Sequence, residues 1–270
     1  MSAATLPKCG PSNSPSGWRG WRAVAVWVAA ATVGPLAAQQ PPSADAPPKT
    51  IIVGDFAGAP AGTLPAEWRA LTFPDIKTHT LYAAVPDPVQ GQVVKATASA
   101  SASGLLRKIA LDAHAYPILR WRWKADNLIS KGDVTRKEGD DYPARIYVSF
   151  AYDPQRVSLL ERARYGAARL IYGEYPPHAG LNYIWDGKAP VGTLVTNAFT
   201  SRVKMIVVES GPSRLHEWLT YERNILEDYR RAFGEEPPPV SGIAIMTDAD
   251  NTGESAVAWY GNIELQPAPQ

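Results

Sequence analysis

Ile118-Leu119-Arg120-Trp121-Arg122-Trp123-Lys124 and Ala144-Arg145-Ile146-Tyr147-Val148-Ser149-Phe150-Ala151-Tyr152 decide the fold class. In the first stretch Leu119, Trp121 and Trp123 fall on one side, and Arg120, Arg122 and Lys124 on the other. In the second, Ile146, Val148, Phe150 and Tyr152 oppose Arg145, Tyr147 and Ser149. An alternation of period two with one apolar side marks a half-buried strand. A third run, Arg202–Glu209, sets Val203, Met205 and Val207 against Lys204, Ile206 and Val208. Both of its sides are largely apolar, so it belongs in the interior of a sheet.

Further short β-like runs extend outward from these. They are Ile51–Phe56, Thr80–Val85, Gln92–Ala98, Gly104–Leu111, Leu181–Trp185, Gly192–Val195, Glu217–Glu222, Ser241–Met246, Ala256–Trp259 and Asn262–Leu265, with Gly, Pro, Asp and Asn between them. Many short strands with frequent turn residues predict a sandwich or barrel, and the lack of strict βα alternation argues against a doubly wound sheet. Two helices interrupt the series. Ser158 and Glu161 form an S-x-x-E capping box ahead of Leu160, Ala163, Ala167, Leu170 and Ile171, with Gly173 at the end. Asn224 and Glu227 repeat that logic for a shorter helix through Phe233, stopped by Gly234 and Pro237-Pro238-Pro239.

The amino terminus reads as a leader rather than as fold. Residues 1–22 hold Lys8, Arg19 and Arg22 and no acidic residue; Ala23–Val33 is an uncharged apolar run, and Leu36-Ala37-Ala38 offers small residues for cleavage. That is the pattern of a secretory signal peptide over residues 1–38, and the run is too short to span a bilayer as a helix. The expected location is therefore periplasmic or secreted. A Pro/Ala-rich segment, 39–50, follows, and one domain over 51–266. Cys9 is the only cysteine, so the mature chain contains no thiol, disulfide or cysteine-bound zinc. Lys plus Arg falls from 27 to 24 on processing while Asp plus Glu stays at 26, leaving a net charge of −2. Such a chain gives no electrostatic case for nucleic acid, and no later apolar run is long enough for a transmembrane segment.

Four segments carry a family resemblance: Trp121-Arg122-Trp123-Lys124, Glu138-Gly139-Asp140-Asp141-Tyr142-Pro143-Ala144-Arg145-Ile146-Tyr147, Tyr172-Gly173-Glu174-Tyr175-Pro176-Pro177 and Phe233-Gly234-Glu235-Glu236-Pro237-Pro238. Over about Ile51 to Leu265 the chain resembles a bacterial exported family designated domain of unknown function 3047. That family brings no activity with it. A second resemblance is to the fold of galactose-binding-like jelly rolls. The order of the Trp218–Glu222 strand, a helix at Asp228-Tyr229, the Ile243–Met246 strand, an acidic Gly-containing loop and Tyr260–Leu265 is similar to their closing half. Gly54-Asp55-Phe56 followed by Trp68 is similar to their opening. Carbohydrate-binding modules share that superfold, so the resemblance implies an antiparallel β-sandwich of the jelly-roll, galactose-binding-like kind with two helical insertions.

Several constellations offer chemistry, each beside a structural alternative. Asp140 and Asp141 lie in the densest charge cluster, with Arg136, Lys137, Glu138 and Arg145. Either could grip sugar hydroxyls, or act with Glu174 or Asp186 as the acid and base of a polysaccharide hydrolase or lyase. A solvated loop pairing its own charges is the bland reading. Asp248, Asp250, Asn251 and Glu254 form an oxygen-rich loop that would suit Ca²⁺, though its spacing departs from the EF-hand, and an Asx-rich turn explains it as well. Asn182 and Trp185 follow a proline-stiffened turn and would offer an amide and a flat ring to a sugar, or simply core packing. Arg120, Arg122, Lys124, Arg145, Tyr147 and Lys204 are polar alternates; on one sheet they would form a single cationic face fit for an acidic glycan. No histidine pair has metal-ligand spacing, and nucleophile-elbow, Walker and dinucleotide motifs are missing. The expected function is non-catalytic binding of a saccharide or acidic glycan by Arg122, Asp141, Arg145, Tyr147, Asn182 and Trp185, without a cofactor unless Ca²⁺ fills the acidic loop. An envelope structural or interaction role is the remaining alternative, and a flat face with no groove would favour it.

Overall fold

The computed structural model describes residues 49–172 and 175–269. The predicted leader, most of the Pro/Ala-rich segment and Glu174 lie outside the described residues. Among the described residues thirteen strands run in chain order: β1 (Ile51–Gly54), β2 (Arg69–Leu71), β3 (Leu81–Asp87), β4 (Gly91–Ser99), β5 (Ala102–Leu111), β6 (Ile118–Ala125), β7 (Arg145–Phe150), β8 (Ala179–Asp186), β9 (Leu194–Thr196), β10 (Val203–Ser210), β11 (Leu219–Asn224), β12 (Val240–Asp248) and β13 (Ser255–Gln266). Helix α1 (Leu159–Tyr172) falls between β7 and β8, and α2 (Ile225–Phe233) directly follows β11.

The strands form two sheets. One has the order β11-β6-β13-β4-β3, with β1 also on β13; the other runs β2-β5-β12-β7-β8-β10-β9. The chain changes sheet at every step between consecutive strands except β3 to β4, β7 to β8, β8 to β9 and β9 to β10, the crossing habit of a jelly-roll sandwich. All ladders are antiparallel except β8–β10, which is parallel. The two runs Ala256–Trp259 and Asn262–Leu265 are one strand, β13, carrying a bulge between Tyr260 and Ile263.

The period-two reading holds inside the sandwich. Trp121 and Trp123 of β6 and Ile146, Val148 and Phe150 of β7 all enter one core between the sheets. Trp121 stacks on Tyr183 of the opposing sheet at 5.2 Å and on Tyr221 of its neighbour at 5.5 Å, contacts that each add about 0.5–1.5 kcal/mol beyond area burial. The two apolar sides of β10 have separate destinations. Ile206 and Val208 join the main core, whereas Met205 and Val207 pack with Val134, Tyr142 and Ile184 on the outside of the sheet.

Both helices start as their capping residues dictate. Ser158 N donates to Glu161 Oε2 at 3.1 Å, and Glu161 N to Ser158 Oγ at 3.3 Å. Asn224 Oδ1 accepts from the N–H groups of Leu226 and Glu227. Gly234 ends α2 with φ +73°, the left-handed conformation glycine adopts without Cβ strain. Helix α2 packs on β6, β11 and β8, and its buried Asp228 accepts from Tyr183 Oη at 2.8 Å and Arg223 Nε at 2.8 Å.

Candidate functional site

The outward-facing alternates of the seven-stranded sheet form an ordered floor. One row crosses it as Arg69, Leu106, Ala244, Tyr147, Asn182 and Met205. The next is Lys108, Gly242, Ser149, Gly180 and Val203. Small residues dominate that second row, which gives the surface depth. A Cβ at Gly242 would meet Leu106 Cδ1 at 3.0 Å and Ser149 Oγ at 3.1 Å. Over this floor lies a groove of about 990 Å³, walled on one side by Leu71, Phe73, Asp75 and Ile76 and on the other by Asn197, Phe199 and Thr200. Its size lies at the upper end of the range for small-ligand sites.

The two ends of the groove differ in chemistry. At one, Tyr152 stacks on Tyr165 at 4.1 Å and tilts against Tyr175 at 4.7 Å, with Pro176, Pro177 and Arg202 beside them. Tyr175 is 43% exposed, so the cluster presents an open ring edge. Arg202 is held by Glu161 and, at 3.1 Å, by the carbonyl oxygen of His178. At the other end stand Asp140, Arg145, Asp248, Asp250 and Asn251.

Arg145 organises the charged end. Its guanidinium is 3% exposed, donates through Nη2 to Asp248 Oδ2, and lies 5.0 Å from the Tyr142 ring and 5.6 Å from the Tyr147 ring. Its Nη1 is 3.7 Å from Asp140 Oδ1. Burial works against its charge, but the surrounding Tyr147, Asp140, Tyr142 and Asp141 outweigh that and hold its pKa above the ordinary arginine value. Asp140 Oδ2 accepts from Asn197 Nδ2 at 2.9 Å. Among the described residues, Arg145 Nε and Nη1 and Asp140 Oδ1 have no hydrogen-bond partner. Buried polar groups left in that state are rare and costly. Burial and the neighbouring Asp141 carboxyl raise the pKa of Asp250.

The predicted binding residues divide between three places. Arg145 and Tyr147 line the groove. Asn182 is on the same sheet face but fully buried, with neither amide atom hydrogen-bonded among the described residues. Asp141 sits behind the acidic end, accepting from Thr252 N at 2.6 Å and Asn251 N at 3.3 Å. Trp185 is not a ligand platform: it is a core residue with no exposure, and its Nε1 donates to Gly211 O at 3.1 Å. Arg122 is on the other outer face of the sandwich. It donates to Thr220 Oγ1 at 3.1 Å and Gln90 Oε1 at 2.5 Å, beside Arg120, Asn262 and Glu264. The single cationic face expected from alternation therefore does not exist. Arg120, Arg122 and Lys124 belong to one sheet and Arg145 and Tyr147 to the other, while Lys204 points away from the groove to Thr196 Oγ1 and the Phe233 ring.

The alternative acid–base set is also divided. Asp140 lines the groove, but Asp186 is turned into a local bend, accepting from Lys188 N at 2.7 Å and Ala189 N at 2.5 Å. The expected metal ligands Asp248 and Asp250 do meet, joined by Asp141, with carboxylate oxygens within 4.8 Å of one another. Asn251 brings its backbone N–H to Asp141. Glu254 faces elsewhere: its carboxylate accepts from the N–H groups of Ser130 and Lys131 and caps that loop.

Sequence reading missed the aromatic end. Tyr152 was expected to face inward with Phe150, but β7 stops at Phe150 and alternation does not continue into the turn at Asp153. The adjacency of Tyr175 to Pro176-Pro177 was the available signal, since prolines stiffen a loop that presents a ring.

A two-sheet sandwich with one grooved outer face defines the class of this molecule. The family described as "Protein of unknown function (DUF3047)" matches residues 66–264, and the chain belongs to it. No curated protein matches the sequence. Among solved structures, a family 11 carbohydrate-binding module from Clostridium thermocellum, in complex with a β-1,3-1,4-mixed-linked tetrasaccharide, is similar at 13% identity and TM-score 0.41, covering 82% of this chain and 97% of that one. A family 30 module of a cellulosomal cellulase from the same organism is similar at 8% identity and TM-score 0.41, over 82% and 99%. A cyclase from Fischerella sp. TAU is similar at 11% identity and TM-score 0.35, over 82% and 100%.

Proposed function

We propose that this chain is an exported, non-catalytic saccharide-binding domain whose ligand lies in the groove over the seven-stranded sheet. The observation that carries the reading is the pairing of a tyrosine cluster at one end of that groove with buried, incompletely bonded Arg145 and Asp140 at the other. Sugar rings offer C–H faces to aromatic surfaces and hydroxyls to polar groups, so a groove with both suits them. Arg145 and Tyr147 would act as ligand contacts, with Tyr152 and Tyr175 as stacking surfaces. Asn182 would help to shape the floor from below.

Hydrolysis is the weaker reading because Asp140, Asp248 and Asp250 gather at one end of the groove with Arg145, while Asp75, on the opposite wall, is exposed to solvent instead of held in the apolar setting a general acid needs. Ca²⁺ is not needed in this reading, since Arg145 supplies countercharge at Asp248. The test is affinity electrophoresis through gels that contain a panel of polysaccharides, run with and without a chelator. Retardation by at least one polysaccharide, unchanged by chelation, is the expected result; uniform mobility across the panel would refute the proposal. Export rests on residues 1–38. Amino-terminal sequencing of the chain recovered from a bacterial periplasm should start close to Gln39, and recovery of the intact chain from the cytoplasm would contradict it.

A further inference from the structure

The charged end of the groove is unbalanced. Asp140, Asp141, Asp248 and Asp250 gather there around one groove-lining cation among the described residues, Arg145, which is already bonded to Asp248. Asp140, Asp141 and Asp248 are each at most 6% exposed, so solvent screens them little. The other cations of the groove are elsewhere. Arg69 lies on edge strand β2, one row along and three strands across from Arg145, Lys108 lies two rows along on β5, and Arg202 serves Glu161 and His178 at the aromatic end.

From this, and resting on the saccharide reading above, we infer that the Arg145–Asp140 end accepts a sugar ring through its hydroxyls and rejects one that carries an anionic group. Ionised carboxylates only accept hydrogen bonds, so they select ligand O–H donors and repel a uronate or sulfate. Asp140 Oδ1 and Arg145 Nη1 complement each other, one acceptor and one donor 3.7 Å apart and both without a hydrogen-bond partner among the described residues. One hydroxyl reaching between them donates to the first and accepts from the second. This reverses the expectation of an acidic glycan, which depended on Arg122 and Arg145 sharing a face.

The test is titration of the full chain with neutral glucan, mannan and xylan against polygalacturonate and alginate, in wild type and in the Asp140→Asn/Asp250→Asn variant. Wild type is expected to bind a neutral polymer at least tenfold more tightly than either polyuronate. The double variant, which removes both charges and keeps one carbonyl acceptor at each position, should narrow that gap severalfold; Asp250→Asn alone, at the groove rim, should narrow it less and guards against misfolding of the double variant. Polyuronate binding as tight as neutral binding in wild type would overturn this inference while leaving the saccharide reading intact. Absence of binding to every polymer would overturn the saccharide reading, and this inference with it.

Discussion

Arg145 is the residue on which the charged end depends. Removing one partner of a buried ion pair leaves the other charge uncompensated, at a cost of about 3–5 kcal/mol. Arg145→Met, which keeps the stem but removes the charge that Asp248 and Asp140 face, is expected to lose stability on that order in urea unfolding; a loss below about 1 kcal/mol would show that the pair is not buried as described. Asp250 gives a prediction of opposite sign. Its raised pKa means that the folded state holds the proton more tightly than the unfolded chain. The associated stability is complete below the ordinary aspartate range and is lost as pH rises through the folded value. Asp250→Asn should therefore be more stable than wild type at pH 7, with the advantage shrinking to nothing on acidification below about pH 3.9. Urea midpoints across that range check it, and an advantage that grew in acid would contradict it. At this scale the sequence was a partial guide. It marked Arg145 and Tyr147, but nothing local distinguishes Trp185, an inward alternate, from a ring on the surface.

The elements were more legible, because their causes are local. Ser158 with Glu161 and Asn224 with Gly234 announced both helices, and the structure shows each cap made. Asn224→Ala should cost about 1 kcal/mol in chemical denaturation, as N-cap loss does, while Asn224→Asp should cost much less; equal losses would mean that the side-chain acceptor is not what starts α2. Strand β2 went unseen because Arg69-Ala70-Leu71 is too short to show a period and pairs only with β5. The parallel ladder of β10 on β8 was equally hidden: it depends on which strands meet after β9, and that is a property of the closed sandwich.

A sandwich has two outer faces, and alternation cannot say which one a polar residue occupies. That is why Arg122 and Arg145, both correctly read as outward, lie on opposite sides of the molecule. Arg122 sits among Thr220, Gln90 and Glu264, on a face where Lys124 bonds to Asp87 at 3.2 Å and lies 4.6 Å from the Trp259 ring. The deep face belongs to the other sheet, where glycine, alanine and serine lower the floor between an aromatic end and a charged one. Calorimetric titration of the most strongly retarding polysaccharide into wild type, Tyr152→Ala/Tyr175→Ala and Arg122→Ala tests this assignment most directly. The tyrosine variant should bind about tenfold more weakly or worse, from ring contacts of about 0.5–1.5 kcal/mol each plus lost burial, with Arg122→Ala at the wild-type value. Loss of binding in Arg122→Ala with the tyrosine variant unaffected would place the ligand on the wrong face for this account and contradict it.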